Sequence, residues 1–182
     1  LIHDNPYSFV RNDVRLSILS IPGAKDVAME MNSLSKGHSM AGWRVGVLTG
    51  KKEWISDVLR FKSNMDSGMF YPIQAAAVEA LALGEEWFTQ LNETYYSREE
   101  KGYELLDALG CTYRKGQAGL FIWASLPEDY KGDCFQFSDE VLDKCDVFVT
   151  PGGIFGSEGT RNIRISLCVT KELLQKAIDK VK

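Results

Sequence analysis

The chain of 182 residues carries 21 Lys and Arg against 25 Asp and Glu, a net charge of −4, and 45% of its residues are hydrophobic. This composition is typical of a globular protein and excludes a disordered chain, a collagen and a coiled coil. The acidic balance gives no support to binding of nucleic acid or of an anionic membrane. No apolar run reaches the roughly 18 residues of a membrane-spanning helix. The start, Leu1-Ile2-His3-Asp4, has no Met and no basic leader, which suggests that the chain begins partway through a longer protein.

The cysteines indicate a reducing compartment rather than a metal site. The four cysteines form no Cys-x-x-Cys pair, and only two histidines are available to complete a metal-binding set. A zinc site is therefore not predicted. Four cysteines without a secretory leader favour reduced thiols in a cytoplasm over disulfides.

Residues 1–84 predict part of a larger domain. Apolar segments at 1–3, 27–31 and 45–48 are typical of strands that are buried on both faces of a sheet. Helical patterns follow at 51–63 and 72–83, the second with Pro72 in its first turn. These few elements make a poor independent domain.

Residues 85–182 predict a complete small domain. Apolar residues at helical spacing predict a helix over 85–109 that stops at Gly110. Strands are predicted at 120–126, 147–150 and 163–169, and Ser138 is predicted to cap a short helix ending at residue 143. Thr170 is predicted to cap the last helix. A sheet flanked by helices around its own core is an α+β domain.

The most informative segment is Ser33-Leu34-Ser35-Lys36, which is followed by Arg44 in the sequence Gly42-Trp43-Arg44-Val45-Gly46. A predicted strand leads into Lys36, and the glycines around Arg44 let the chain turn closely around an anion. Either residue alone would be interpreted as a solvated surface side chain. Together, at this spacing, they resemble the cofactor-binding lysine segment of the class I and II aminotransferases, which use pyridoxal phosphate.

Two further segments and the last domain resemble the same family, in the same chain order. His3-Asp4-Asn5-Pro6-Tyr7 is similar to the family's strand-end aspartate and the tyrosine three residues beyond it. The sequence around Arg164 resembles the segment that carries the substrate-binding arginine. The resemblance covers the whole chain and implies an α/β fold, the fold type I of pyridoxal-phosphate-dependent transferases. Residues 1–84 would be the C-terminal portion of the large cofactor-binding domain, and 85–182 the small α+β domain.

The resemblance implies a role for each matching residue near the cofactor. Lys36 would form the Schiff base with the cofactor aldehyde and, once released, would move the proton between Cα and C4′. Asp4 would lie against the pyridine nitrogen, and Tyr7 would donate a hydrogen bond to the ring 3-oxygen. Ser33 and Arg44 would hold the phosphate.

Arg164 lies on a predicted strand whose alternation sends Arg164 and Ser166 to one face. The resemblance implies that Arg164 binds the α-carboxylate of an amino acid. The alternative is a structural ion pair with one of the acidic residues of this half. Arg161 matches no motif of the family and is interpreted as a surface residue, and His38 is interpreted as a variable position beside Lys36.

The implied function is that of the C-terminal half of an amino-acid aminotransferase, which moves an amino group between an L-amino acid and a 2-oxo acid. The phosphate-cradling glycine loop, the ring-oxygen asparagine and the tyrosine lent by a partner subunit have no match in this chain. The segment alone is therefore expected to be inactive and to lack the cofactor. The alternatives are a carbon–sulfur lyase, an aminocyclopropane-carboxylate synthase-like enzyme, or a non-catalytic folding or dimerisation fragment. The resemblance also implies a cytoplasmic homodimer with no nucleic-acid or membrane partner.

Overall fold

The structure, a computed structural model, describes residues 1–182 and divides them into two units, Leu1–Leu91 and Asn92–Lys182. The boundary lies inside a long helix, α4 (Glu85–Ala108). The domain boundary predicted after Gly84 stays a prediction, and the two units divide about two turns into this helix.

The first unit contains a three-stranded sheet in the order β1 (Ile2–Asp4), β2 (Met29–Ser33), β3 (Gly46–Thr49). These strands lie within two residues of the predicted ones. Strand β1 runs parallel to β2, with Asp4 opposite Met31, and β3 runs antiparallel to β2, with Gly46 opposite Ser33. The carboxyl ends of β1 and β2 and the first residue of β3 therefore meet at one edge of the sheet.

The expected burial of these strands on both faces is not observed in this chain. Ile2 is 60% exposed and Val47 is 46% exposed, although both are strand residues with apolar side chains. The remainder of the unit does not cover these positions.

Three helices complete the first unit: α1 (Leu34–Gly37), α2 (Lys52–Met65) and α3 (Tyr71–Leu81). The two longer helices confirm the predicted ones, and Pro72 lies in the first turn of α3. The small core of this unit lies between α3 and the segment that joins β2 to β3. It consists of Leu34, Met40, Val45, Ala77 and Ala80.

The second unit folds around an antiparallel sheet in the order β4 (Thr112–Tyr113), β5 (Phe121–Ser125), β7 (Asn162–Ser166), β6 (Thr150–Pro151). Two helices, α5 (Cys134–Cys145) and α6 (Lys171–Val181), complete it together with α4. The largest fully buried side chains of its core are Leu106, Ile122, Ile163, Leu167 and Ile178. Thr170 caps α6 as predicted, because its side chain accepts a hydrogen bond from the Leu173 N–H.

Two predictions for this unit are wrong in detail. Ser138 does not cap a helix: it lies buried inside α5 and donates a hydrogen bond to the Val149 carbonyl. The cap is Asp133, whose side chain accepts from two backbone N–H groups, while the Gln136 side-chain oxygen accepts from the Asp133 N–H. This reciprocal arrangement satisfies more of the free N–H groups at the helix start than a lone serine can. The strand expected over 147–150 pairs only at Thr150 and Pro151.

None of the helices combines the length and the apolar character that crossing a bilayer requires. All four cysteines are free thiols in the structure.

Candidate active site

Five of the predicted site residues lie in the first unit, close to the sheet edge where the three strand ends meet. They are Asp4 at the end of β1, Tyr7 just beyond it, Ser33 at the end of β2, Lys36 in α1, and Arg44 just before β3. Open α/β sheets bind ligands outside the carboxyl ends of their strands. The strand directions, not only the sequence motifs, thus bring these side chains to one place.

Lys36 is presented by the single-turn helix α1. Its side chain is half-buried, and its Nζ lies 5.9 Å from the centroid of the Tyr7 ring. Asp4 is exposed at the end of its strand. An amine, an aromatic ring and a carboxylate are therefore available at the same edge.

Ser33 shapes the turn that carries Lys36. Its Oγ accepts a hydrogen bond from the Ser35 N–H at 3.1 Å and lies 3.2 Å from the Val45 carbonyl. The hydroxyl thus caps α1 and ties it to the start of β3. The predicted contact of Ser33 with a phosphate stays a prediction.

Arg44 has the left-handed backbone conformation, with φ of 55°. Non-glycine residues rarely adopt this region, and residues in such conformations cluster at functional sites. Its side chain is exposed and donates to the Ala41 carbonyl at 2.9 Å. The remaining guanidinium N–H groups are free to bind an anion.

Trp87 and His38 pack at the turn that carries Lys36, and no motif in the sequence marks Trp87. The Trp87 indole N–H donates to the Gly37 carbonyl at 2.8 Å. The His38 ring contacts the rings of Phe9 and Phe88 edge-on, at centroid distances of 6.2 and 5.4 Å. Burial lowers the pKa of His38. The neutral imidazole therefore packs in an aromatic cluster with Phe9 and Phe88, next to the turn that carries Lys36.

Glu30 holds the connection between β1 and β2, which contains Tyr7, and no motif in the sequence marks Glu30. Its Oε2 accepts from the Ser17 hydroxyl at 2.7 Å and from the Ile18 N–H at 3.0 Å. The same oxygen lies 3.1 Å from the His3 ring, and Oε1 accepts from the Asn5 amide at 3.3 Å. Burial alone would raise the pKa of Glu30, but these hydrogen bonds outweigh it and lower the pKa. The carboxylate is therefore ionised and fixes the loop onto β2.

Arg164 lies in the second unit, on the outer face of its sheet. It is paired with Trp123 of β5 and with Thr150 of β6. Its Cζ lies over the rings of Phe121 and Phe155, and its buried Nε has no hydrogen-bond acceptor. The alternative of a structural ion pair is not observed, because no acidic side chain approaches Arg164. Its role toward a carboxylate stays a prediction.

Arg161, expected to be a surface residue, is exposed and also has a structural function. Its guanidinium donates to the backbone carbonyls of Pro127, Tyr130 and Gly132 at 2.6 to 2.9 Å. These hydrogen bonds fasten the loop between β5 and α5. Arg161 is therefore committed to the backbone and not to a ligand.

The residues at the sheet edge fit a planar, phosphorylated aldehyde. The half-buried Lys36 amine is suited to a carbonyl carbon, the exposed Arg44 guanidinium to a phosphate, and the Asp4 carboxylate to a protonated ring nitrogen. The structure brings together no group of three His, Cys, Asp or Glu side chains that could hold a metal ion.

The family of this protein follows from comparison with known sequences. Residues 7–181 match the model of aminotransferase class I and II, and the chain belongs to this family. Among curated relatives, the LL-diaminopimelate aminotransferase of Oleidesulfovibrio alaskensis is 38% identical over 184 residues, which are 100% of this chain and 47% of the relative. That of Natranaerobius thermophilus is 40% identical over 183 residues, with the same coverage. The chain spans about half the length of the curated relatives it matches.

Solved structures show the same fold. Substrate-bound BacF from Bacillus subtilis superimposes with a TM-score of 0.90 at 35% identity, over 100% of this chain and 46% of that chain. An aromatic aminotransferase from Pyrococcus horikoshii gives a TM-score of 0.89 at 27% identity, over 99% and 49%. The predicted α/β fold, fold type I of the aminotransferases, is therefore confirmed.

Proposed function

We propose that this chain is the C-terminal half of a pyridoxal-phosphate-dependent aminotransferase that moves an amino group between an L-amino acid and a 2-oxo acid. The observation that carries the proposal is the meeting of Asp4, Tyr7, Ser33, Lys36 and Arg44 at one edge of the first sheet. The names of the relatives support the reaction class.

Lys36 is the proposed point of cofactor attachment. Pyridoxal phosphate, when bound, supplies an aldehyde for a lysine and a ring that stabilises negative charge at the substrate Cα. Once the substrate amine replaces it, the Lys36 amine would take the proton from that Cα and deliver it to the C4′ carbon of the cofactor. The one-turn helix and the Trp87 hydrogen bond to Gly37 hold this lysine in position for both tasks.

The neighbouring residues hold the cofactor ring and its phosphate in our proposal. The Asp4 carboxylate keeps a proton on the ring nitrogen, and the Tyr7 hydroxyl donates to the ring 3-oxygen. Arg44 binds the phosphate through its exposed guanidinium, and Ser33 assists from the cap of α1. Charge-assisted contacts of this kind are among the strongest hydrogen bonds in proteins.

Arg164 is proposed to bind the substrate α-carboxylate. Its guanidinium has no acidic partner in the protein, so its N–H groups are available for a two-pronged contact with a carboxylate. Replacing Arg164 with Leu should raise the KM for amino acids, with a loss of roughly 30-fold or more in kcat/KM, because truncating one partner of a buried charge pair costs about 2–5 kcal/mol.

Chemical labelling tests the proposal directly. The full-length protein is loaded with pyridoxal phosphate, reduced with borohydride and digested, and the modified peptide is identified by mass spectrometry. Label on Lys36 is expected, and the Lys36→Ala variant should take up none. Label on another lysine, with Lys36 unmodified, would refute the assignment. Assays with a panel of L-amino acids that includes LL-diaminopimelate distinguish amino transfer, which forms a 2-oxo acid and a new amino acid, from carbon–sulfur cleavage.

We further propose that the whole enzyme is a cytoplasmic homodimer and that residues 1–182 alone do not transaminate. The exposed apolar residues of the first sheet, Ile2 and Val47 among them, support the second point because they indicate surfaces that another part of the protein covers. A titration of the isolated chain with pyridoxal phosphate that produced a stable absorbance band and turnover would overturn it.

A further inference from the structure

The Arg164 side chain is held by aromatic rings. Its Cζ lies 3.9 Å from the centroid of the Phe121 ring and 4.4 Å from that of the Phe155 ring. A guanidinium over a ring face within about 6 Å is attracted by the negative face of the ring. We propose that Phe121 and Phe155 are positioning residues, which fix Arg164 in the orientation that binds the substrate carboxylate. This inference rests on the function proposed above for Arg164.

The sheet places the first ring beside Arg164. On β5 and β7 the alternation sends Ile122, Ile163 and Ile165 into the core, where they are buried. Phe121 on β5 and Arg164 on β7 therefore share the outer face, and the two strands are neighbours. Residues that share a face on paired strands lie close enough for an aromatic ring and a long side chain to meet.

The second ring comes from the turn Gly152–Phe155, which precedes β7. Phe155 is 52% exposed, and its ring meets the Trp123 ring at 5.8 Å and an angle of 63°. The turn is tightly closed, since a Cβ atom on Gly159 would lie 2.2 Å from the Gly152 carbonyl oxygen. The close approach of Gly152 and Gly159 therefore holds together the two ends of the segment that carries the Phe155 ring.

The contacts with the rings leave hydrogen-bonding groups of the arginine available. The ring faces lie against the guanidinium carbon Cζ, and the buried Nε–H has no acceptor, whereas a carboxylate binds the guanidinium N–H groups. An acidic side chain would have bound these groups and competed with the substrate. An arginine that is already ordered also loses less conformational freedom when it binds.

Substrate kinetics of the full-length enzyme test the proposal. Phe155→Leu should raise the KM for the amino donor roughly threefold to tenfold, the range expected for a cation–π contact, with kcat within about twofold of wild type. Phe121→Leu should act in the same direction. Phe155→Tyr keeps the ring face and should restore the wild-type KM. Phe148→Leu is the matched control, because Phe148 is exposed in the same unit and has no ring contact with Arg164.

A second measurement follows the arginine itself. In ¹⁵N–¹H spectra of the protein, the Arg164 Nε–H resonance, assigned by its loss in Arg164→Leu, should be shifted upfield by the two rings. Phe155→Leu should move it toward the value of a free arginine. Mere destabilisation of the fold would not produce this selective change.

The outcomes separate the two proposals. If Arg164→Leu leaves KM unchanged, Arg164 does not bind the carboxylate, and both the function and the positioning role are refuted. If Arg164→Leu raises KM but the leucine variants at Phe121 and Phe155 change neither KM nor the resonance, only the positioning role is refuted. A rise in KM at Phe155→Leu without movement of the resonance would show that the ring contacts substrate directly, which also refutes positioning.

Discussion

Glu30 is expected to be the most important polar residue for the stability of the first unit. Its side chain is only 12% exposed and interacts with four groups, which belong to His3, Asn5, Ser17 and Ile18. His3 and Asn5 lie on β1 and just beyond it, and Ser17 and Ile18 lie further along the same connection between β1 and β2. The substitution Glu30→Ala therefore detaches this connection from β2.

The expected loss can be worked out from these contacts. A hydrogen bond to a charged group contributes about 1.5–3 kcal/mol to stability. In the variant, water can hydrogen-bond to the half-buried donors and so recovers part of this free energy. We therefore expect Glu30→Ala to lower the free energy of unfolding by about 3 kcal/mol, and Glu30→Gln, which keeps one acceptor oxygen, by about half as much. Urea denaturation measures both values. Glu79→Ala, at an exposed position of α3, is the control and should have little effect.

The pH dependence gives a second check. Because the folded pKa of Glu30 lies below its ordinary value, its stabilisation is complete above the unfolded pKa and disappears as the pH falls through the folded pKa. The difference between wild type and Glu30→Ala should therefore shrink in acid. A loss below about 1 kcal/mol at neutral pH, together with unchanged hydrogen exchange at the Ile18 amide, would refute the reasoning.

Three further predictions concern the supports of the two sites. The pKa of His38 is lowered in the folded state, so the unfolded state binds the imidazole proton first as the pH falls below about 6.5. The free energy of unfolding should therefore decline below this pH. His38→Gln should reduce this pH dependence in denaturation curves measured from pH 7 to 5. Trp87→Phe leaves the Gly37 carbonyl without its donor and should cost about 1 kcal/mol by urea denaturation, whereas an unchanged midpoint would contradict the structure. Gly159→Ala places a Cβ atom against the Gly152 backbone and should lower the free energy of unfolding, measured by urea denaturation, by at least about 3 kcal/mol. Gly84→Ala is the control, because Gly84 has open space around it, and should change this free energy by less than about 1 kcal/mol.

Local patterns in the sequence were sufficient for most of the fold. The three short strands of the first unit and the helices α2, α3, α4 and α6 follow from apolar spacing and capping residues, which act within a few residues of one another. The cap of α5 does have a signal in the sequence, because Asp133 and Gln136 form a capping box, and this signal outweighs that of Ser138. The strand β6 is shorter than predicted because Val147 and Val149 are buried in the core without pairing, and Phe148 between them is exposed.

In the candidate site, the sequence marks a residue only where that residue stands in a motif. Lys36, Arg44 and Asp4 stand in segments with a family pattern, and the strand directions then bring them to one edge. The groups that hold them in place lie far away in the chain: Trp87 is 50 residues from Gly37, and Glu30 is 27 residues from His3. Contacts at such separations depend on the completed fold, and no periodicity in the sequence records them.

For Arg164, the contacts of the completed fold narrow the functions that the sequence leaves open. The sequence places Arg164 on an outer strand face and leaves two interpretations, a structural ion pair or a ligand carboxylate. The structure shows no ion pair at Arg164, because aromatic rings and not acidic side chains contact its guanidinium. Burying a charged group without a counter-charge is costly unless something compensates it, and the faces of Phe121 and Phe155 supply only part of that compensation. The N–H groups of Arg164 therefore retain a preference for an anion, which supports the proposal that Arg164 binds the carboxylate of an amino acid or 2-oxo acid.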